Sequence, residues 1–318
     1  MIDVYITHFV QPGHPHAVGF NEILVDQIRW MWMVDRVVYR TFVVFYGDEA
    51  AETHLRSILP SSVALVKNDR PGRPDIQPSM RNKALDCARE SGCEYMVLLH
   101  NDVRVAVSWL EALTRDIQHA ESLWGRAGAI VSPRHIPYHY VMGPGRRFPH
   151  ATTMLDTQYL RTCEDFWGTL RATPRILSTN DMTGWCRAYG FAFDGLRVHC
   201  PAWTPPTPDG HQLMMWIARP AFFDDVGYCD ENFTGINHDD QDWGIRALLA
   251  GKMNFQSQTA LVGHIEGLTF YRLNSGPQLG ERQSNVDLFI QKWGRAMFDE
   301  MQTGALWPRL RAQNSPKR

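Results

Sequence analysis

"VLLHNDVRV", residues 97–105, begins as a buried strand and then turns abruptly polar at His100, Asn101 and Asp102. Polar groups buried without partners cost free energy, so these three are expected to leave the core where the strand ends. The flanking sequence indicates what they emerge into. Upstream, "DVYITHF" (3–9), "RTFVVFYGD" (40–48) and "SVALVKND" (62–69) read as strands. Between them "FNEILVDQIRWMWMV" (20–34) and "EAAETHLRSIL" (49–59) show helical apolar spacing, as do "MRNKALDCARESG" (80–92) and, downstream, "SWLEALTRDIQHAESLW" (108–124). This alternation predicts an α/β fold around a mostly parallel sheet flanked by helices.

In open sheets of that kind, ligands sit beyond the carboxyl ends of the strands. His100, Asn101 and Asp102 therefore face a crevice. His8 and Phe9 after the first strand, Asp48 after the second and Asn68 after the third occupy the same crest, where their side chains can line that crevice. Arg81, near the start of its helix, is within reach of a diphosphate there, although an arginine so placed is more often solvated.

The chain has 318 residues and a formal net charge of -2, which fits one domain of enzymatic size spanning 1–318 and gives no basic excess for phosphate backbones. Nucleic acid is not the expected partner. Six cysteines (87, 93, 163, 186, 200, 229) form no CxxC pair and suit a reducing, cytoplasmic setting. No targeting segment and no run of about 18 apolar residues is visible, so no transmembrane segment is expected.

From about 132 to 210 regularity gives way to Pro, Gly, Arg, His and aromatic residues, as in "SPRHIPYHYVMGPGRRFPH" (132–150) and "CPAWTPPTPDGHQ" (200–212). We read this as an insertion between a donor-binding half (1–131) and a catalytic half (211–318), with Trp185 and Trp203 stacking on an acceptor and arginines suiting an anionic one. Regular structure returns with a helix in "INHDDQDWGIRALLAGKMNF" (236–255), a strand "TALVGHIEG" (259–267) and helical spacing in "NVDLFIQKWGRAMFDEM" (285–301).

Two acidic clusters, "HND" (100–102) and "HDDQD" (238–242), and a strand-terminal His264 are the groups able to carry chemistry. Asp102 and His264 make a plausible partial site for a divalent cation, with substrate phosphate or water filling the rest. The plainer alternative makes Asp102 a cap and His264 a core histidine. Asp239, Asp240 and Asp242 either complement a helix dipole or, by mutual repulsion, furnish a general base.

The ordered set "VYITHF", "MRNKAL", "YMVLLHNDV", "SWLEAL", "FFDDVGYCDENFTGINHDDQDWGIRALLAG", "ALVGHIEG" and "FIQKWG" resembles the inverting GT-A glycosyltransferases of family 2. The resemblance covers most of the chain outside the insertion. It implies a GT-A (Rossmann-like) fold, a UDP- or GDP-type nucleoside-diphosphate sugar as donor, and Mn2+ or Mg2+ as cofactor. A glycan, lipid-linked or small-molecule hydroxyl would be the acceptor. By position Asp102 corresponds to the metal-binding last aspartate of the DxD motif, His264 to the histidine completing that site and Asp240 to the general base. Asp239 and Asp242 flank it on the acceptor side. His100 stands where the family has the first Asp of DxD, and Asp239 where it has Glu.

Rival readings are a nucleotidyltransferase, for which "FVQPGHPHAVGF" is a poor phosphate loop, a non-catalytic binding module of the same fold, and a metal-dependent hydrolase using His238, Asp239, Asp240, Asp242 and His264.

Overall fold

The structure is a computed structural model that describes residues 1–13, 17–72, 77–101, 103–137, 193–194, 197–198, 203–208, 215–234, 238–264 and 278–314. In chain order the strands are β1 (Ile2–Phe9), β2 (Tyr39–Tyr46), β3 (Val63–Lys67), β4 (Tyr95–His100), β5 (Val103–Val105), β6 (Ala129–Pro137), β7 (Phe193–Asp194), β8 (Arg197–Val198), β9 (Thr207–Pro208), β10 (Met215–Ala218) and β11 (Met253–His264). The helices are α1 (Ala17–Val34), α2 (Glu49–Ile58), α3 (Gln77–Ser91), α4 (Trp109–Trp124), α5 (Phe222–Val226), α6 (Asp239–Leu249), α7 (Gln278–Trp293), α8 (Arg295–Gln302) and α9 (Leu306–Asn314).

The main sheet runs β3-β2-β1-β4-β10-β6-β11-β5, with β9 added against β11, while β7 and β8 pair separately. β1 to β4 pair in parallel, as the strand–helix alternation predicts. β10 then enters antiparallel between β4 and β6, which makes the sheet mixed. Successive side chains point to opposite faces, so Val97 and Leu99 join one apolar cluster with α1 and α4, while Met96 and Leu98 join another with α3 and α5. α6 contributes to both, through Ile245 and Leu248 on one side and Trp243 and Ala247 on the other.

Local chemistry sets the boundaries. Asp48 caps α2 by accepting from the Ala51 N–H at 2.8 Å. Ser108, at the start of α4 with φ 59°, makes no side-chain cap bond; Asp35, in the loop between α1 and β2, supplies it, accepting from the Leu110 N–H at 2.7 Å. The stretch expected as one helix at 285–301 is two, because Gly294 at φ 86° ends the first. Residues 132–137, expected to open the insertion, belong to β6, whose parallel partner is β11. Among the described residues, no helix is long and apolar enough to cross a membrane.

Candidate active site

At the carboxyl end of β4, Asn101 is fixed twice to β1. Its backbone N–H donates to the Thr7 carbonyl at 3.2 Å, and its side-chain amide donates to His8 Nδ1 at 2.7 Å. The opposite ring nitrogen, Nε2, lies 2.8 Å from Asn21 Oδ1, so the ring is the Nε2–H tautomer. Asn21 in turn donates to the Ala51 carbonyl at 2.8 Å and reaches His54 Nδ1 at 3.2 Å. His8 is fully buried, and that burial lowers its pKa to about 4 against the opposing pull of Asn21. Contrary to the expectation that it faces a ligand, His8 has both nitrogens engaged inside the fold.

Phe9 stacks on Tyr46 with ring centroids 5.6 Å apart and planes 6° from parallel; the two close β1 and β2 side by side. Asp48 accepts from the Ala51 and Gly13 N–H groups, which hold its carboxyl below the usual range. It ties the loop after β1 to α2, so its oxygens act on backbone rather than on open space. Asn68 is buried and donates to Ser79 Oγ at 3.3 Å, joining the end of β3 to α3.

Arg81 bridges the two halves. Its Nη1 donates to Asp239 Oδ2 at 2.5 Å, and Nη2 lies 3.3 Å from His100 Nε2. Burial by itself would lower the guanidinium pKa; the attraction of Asp239, then Cys229 and Asp240, outweighs it and the pKa stands raised. Expected as a solvated or diphosphate-reaching arginine, Arg81 is buried at the junction of β4 and α6. Next to it Asn82 accepts from the Cys229 N–H and donates to the Cys229 carbonyl and to Glu231. The "MRNKAL" stretch therefore pins the segment leading to α6. A cavity of about 10 Å³ beside Arg81, between Trp216, Phe223 and Trp243, holds about one water and is no substrate site.

The three aspartates of α6 are separated by their partners, since Asp239 and Asp242, three residues apart, lie only about 60° from each other around the helix. Asp239 turns to Arg81. Asp242 is fully buried and accepts from Arg246, Trp293 Nε1 and Lys292, locking α6 to α7. That makes it a structural anchor rather than the acceptor contact expected of it. Asp240 is half-buried between them and accepts from the Gln241 N–H at 2.9 Å. His238, just before the helix, takes φ 73° and packs against the Phe289 and Phe298 rings. A non-glycine residue held there marks local strain beside the carboxylates.

Asp102 and Trp185 lie outside the described residues, and of His264 only the backbone is described. In the β5–β11 register Val103, the residue after Asp102, is the Cα partner of His264. Among the described residues no cluster of three or more His, Cys, Asp or Glu is gathered as a metal cage.

Trp203 is elsewhere. Its Nε1 donates to the buried Asp116 of α4 at 2.6 Å, its ring meets His119 edge-on, and the following β9 pairs with Gln256 near the start of β11. Gln256 and His264 pair with Ser132 and Pro137 of β6, five residues apart because β11 bulges between Gln256 and Leu261, so at about 3.3 Å per strand residue the two points lie roughly 17 Å apart. Trp203 thus anchors the far end of the sheet, not an acceptor at the crest.

Sequence reasoning gave no role to Asn21, Lys292 or Trp293. A polar Asn21 in an otherwise apolar helical face was the available signal; the other two lie in "FIQKWG", whose partners come from 50 residues away.

No family model matches the chain, and no curated protein matches it. Among solved structures it is similar to GalNAc-T7, crystallised with UDP, GalNAc and Mn2+, at 12% identity and a TM-score of 0.49, covering 98% of this chain and 54% of that one. It is similar also to S. aureus TarS, at 12% identity and a TM-score of 0.42, covering 93% of this chain and 44% of that one. The chain spans about half the length of each. Its own sheet order, with β10 reversed between β4 and β6, is of the GT-A type implied by the sequence resemblance.

Proposed function

We propose that the protein is an inverting, metal-dependent glycosyltransferase moving a sugar from a UDP- or GDP-type donor to an acceptor hydroxyl, acting as a single domain in the cytoplasm. The observation that carries this reading is the Arg81 bridge, which joins the strand end bearing His100 to the helix start bearing Asp239 and Asp240. Donor-side and base-side groups then share one crest, as a displacement at the anomeric carbon requires.

The stacked Phe9 and Tyr46 rings offer a platform for a nucleobase at the ends of β1 and β2. Asp102 and His264 would hold Mn2+ or Mg2+, which supplies neutralisation of the charge developing on the departing diphosphate. Asp240 accepts the acceptor hydroxyl's proton as attack proceeds from the face opposite the leaving group, and this in-line course inverts the anomeric configuration. Arg81 holds Asp239 on one flank, and Lys292, Arg246 and Trp293 hold Asp242 on the other. Asp240, half-buried at the start of the same helix, is the carboxylate to which the sequence resemblance assigns the proton.

The test is release of nucleoside diphosphate from UDP- and GDP-sugars with Mn2+ and a panel of glycan, lipid-linked and small-molecule acceptors. Asp240→Asn should slow transfer by roughly 100- to 10,000-fold at unchanged melting temperature. Unaltered transfer in that variant would remove Asp240 from the role. Full activity in excess chelator would end the metal dependence, and failure of every nucleotide sugar to raise the melting temperature would end the reading as a whole.

A further inference from the structure

The hydrogen-bonded chain Asn101–His8–Asn21–His54 runs from the turn after β4 back through β1 and α1 to α2. Its direction is fixed at every link. The Asn101 amide donates to Nδ1, the ring donates from Nε2 to Asn21 Oδ1, and the Asn21 amide donates onward to Ala51 O and His54 Nδ1. His8 and Asn21 are both fully buried, so no water competes for these bonds. Asn101 lies between His100 and Asp102 in sequence, and β5, which begins at Val103, pairs with the last residues of β11, Val262 to His264. Whatever fixes Asn101 therefore fixes the backbone entering the β5–β11 ladder.

We infer that His8 and Asn21 are positioning residues for the turn at 100–102, holding it in its ligand-ready geometry from beneath without touching the ligand. This rests on reading that turn as the donor and metal end. The physical case is that Asn101, at the end of β4, is held by its backbone bond to Thr7 and its amide bond to His8. A neutral imidazole with one fixed acceptor and one fixed donor allows a single orientation of the Asn101 amide, whereas a charged anchor would have to be desolvated in the core. Outer partners of this sort orient the groups that do the binding.

The experiment compares the full chain with His8→Phe, which keeps an aromatic ring but loses both bonds, and with His8→Asn, which keeps an acceptor close to the place of Nδ1. Amide hydrogen exchange is read over residues 101–105 and, as an internal reference, over α6. The dissociation constant of Mn2+ in the presence of UDP, or in a parallel series GDP, is measured by calorimetry. In His8→Phe exchange should quicken at 101–105 but not in α6, and Mn2+ affinity should fall roughly 10- to 100-fold. His8→Asn should restore most of both. A merely structural histidine would lower the melting temperature and leave affinity and local exchange as in the parent; that result in a folded His8→Phe overturns the inference. Should His8→Phe not fold, Asn21→Leu cuts the chain one link further out and is judged by the same two measurements. If the parent itself binds neither UDP nor GDP with Mn2+, the proposed function falls, and the exchange rates alone decide whether His8 holds the turn.

Discussion

The junction around His8 and the junction around Arg81 both reach the end of β4, yet one is made of neutral groups and the other of full charges. The imidazole and amides of the first can be fully desolvated because their hydrogen bonds replace those lost to water. The guanidinium of the second is buried with its charge, which Asp239 faces and offsets, and Asp239 retains 12% exposure at the rim of the crest. Neutral anchoring serves where backbone must be held deep in the fold. Ionic anchoring serves where a carboxylate is held at the partly exposed rim.

Breaking the ionic junction should have the largest effect. Arg81→Leu leaves Asp239 facing the core without its cation and should cost roughly 3–5 kcal/mol in urea unfolding, while the Arg81→Leu, Asp239→Leu double variant should be less destabilised than the single one. A loss below about 1 kcal/mol would mean that water already screens the pair.

The neutral junction should reveal itself in acid. The folded-state pKa of His8 is held at about 4, below the ordinary histidine value near 6.5. Its contribution is therefore present in full above pH 6.5 and is lost as pH falls towards 4, where the unfolded chain binds a proton the folded one refuses. The loss should amount to roughly 3 kcal/mol. His8→Asn should lack this fall, so the stability difference between parent and variant should shrink over that interval. A constant difference would show that His8 titrates alike in both states.

An intermediate case, a buried carboxylate held by a neutral donor, sharpens the comparison with the smallest effect. Burial raises the Asp116 pKa, against the pull of Ser257 and Trp203. Trp203→Phe removes the indole donor and should cost about 1–2 kcal/mol with Asp116 ionised, less as pH falls and the carboxyl takes up its proton. Transfer activity should not change, because Trp203 lies at the other end of β11. A raised acceptor Michaelis constant at full stability would return Trp203 to the acceptor site.

Much of the central frame was legible in sequence because burial on both faces leaves a plain signature. β1 to β4 and their helices fall within a few residues of their apolar runs, since both faces of β1, β2 and β4 pack against helices, while the edge strand β3, with Val63 buried, shows in its β-branched run. α9 was missed because its short "LWPRLRAQN" carries little helical periodicity. β6 was mistaken for the opening of the insertion because "SPRHIP" contains two prolines and a histidine, and its pairing with β11 comes from far along the chain. The polar residues at the strand ends stood out in the sequence, but their partners did not, since each partner is brought by a different element.

The sequence alone determined that strands alternate with helices, that the polar residues of "HND" follow an apolar strand, and that three aspartates crowd the start of one helix. These follow from local periodicity and the cost of burying polar groups, which act over a few residues. Only the tertiary structure decided that His8 faces inward, that Arg81 joins His100 to Asp239, that Asp242 of α6 is held by α7 and that Trp203 sits at the far end of β11. A side chain capable of both structure and chemistry is assigned by the donors and acceptors around it. In this chain those arrive from 13 to 158 residues away, a separation at which local pattern carries no information.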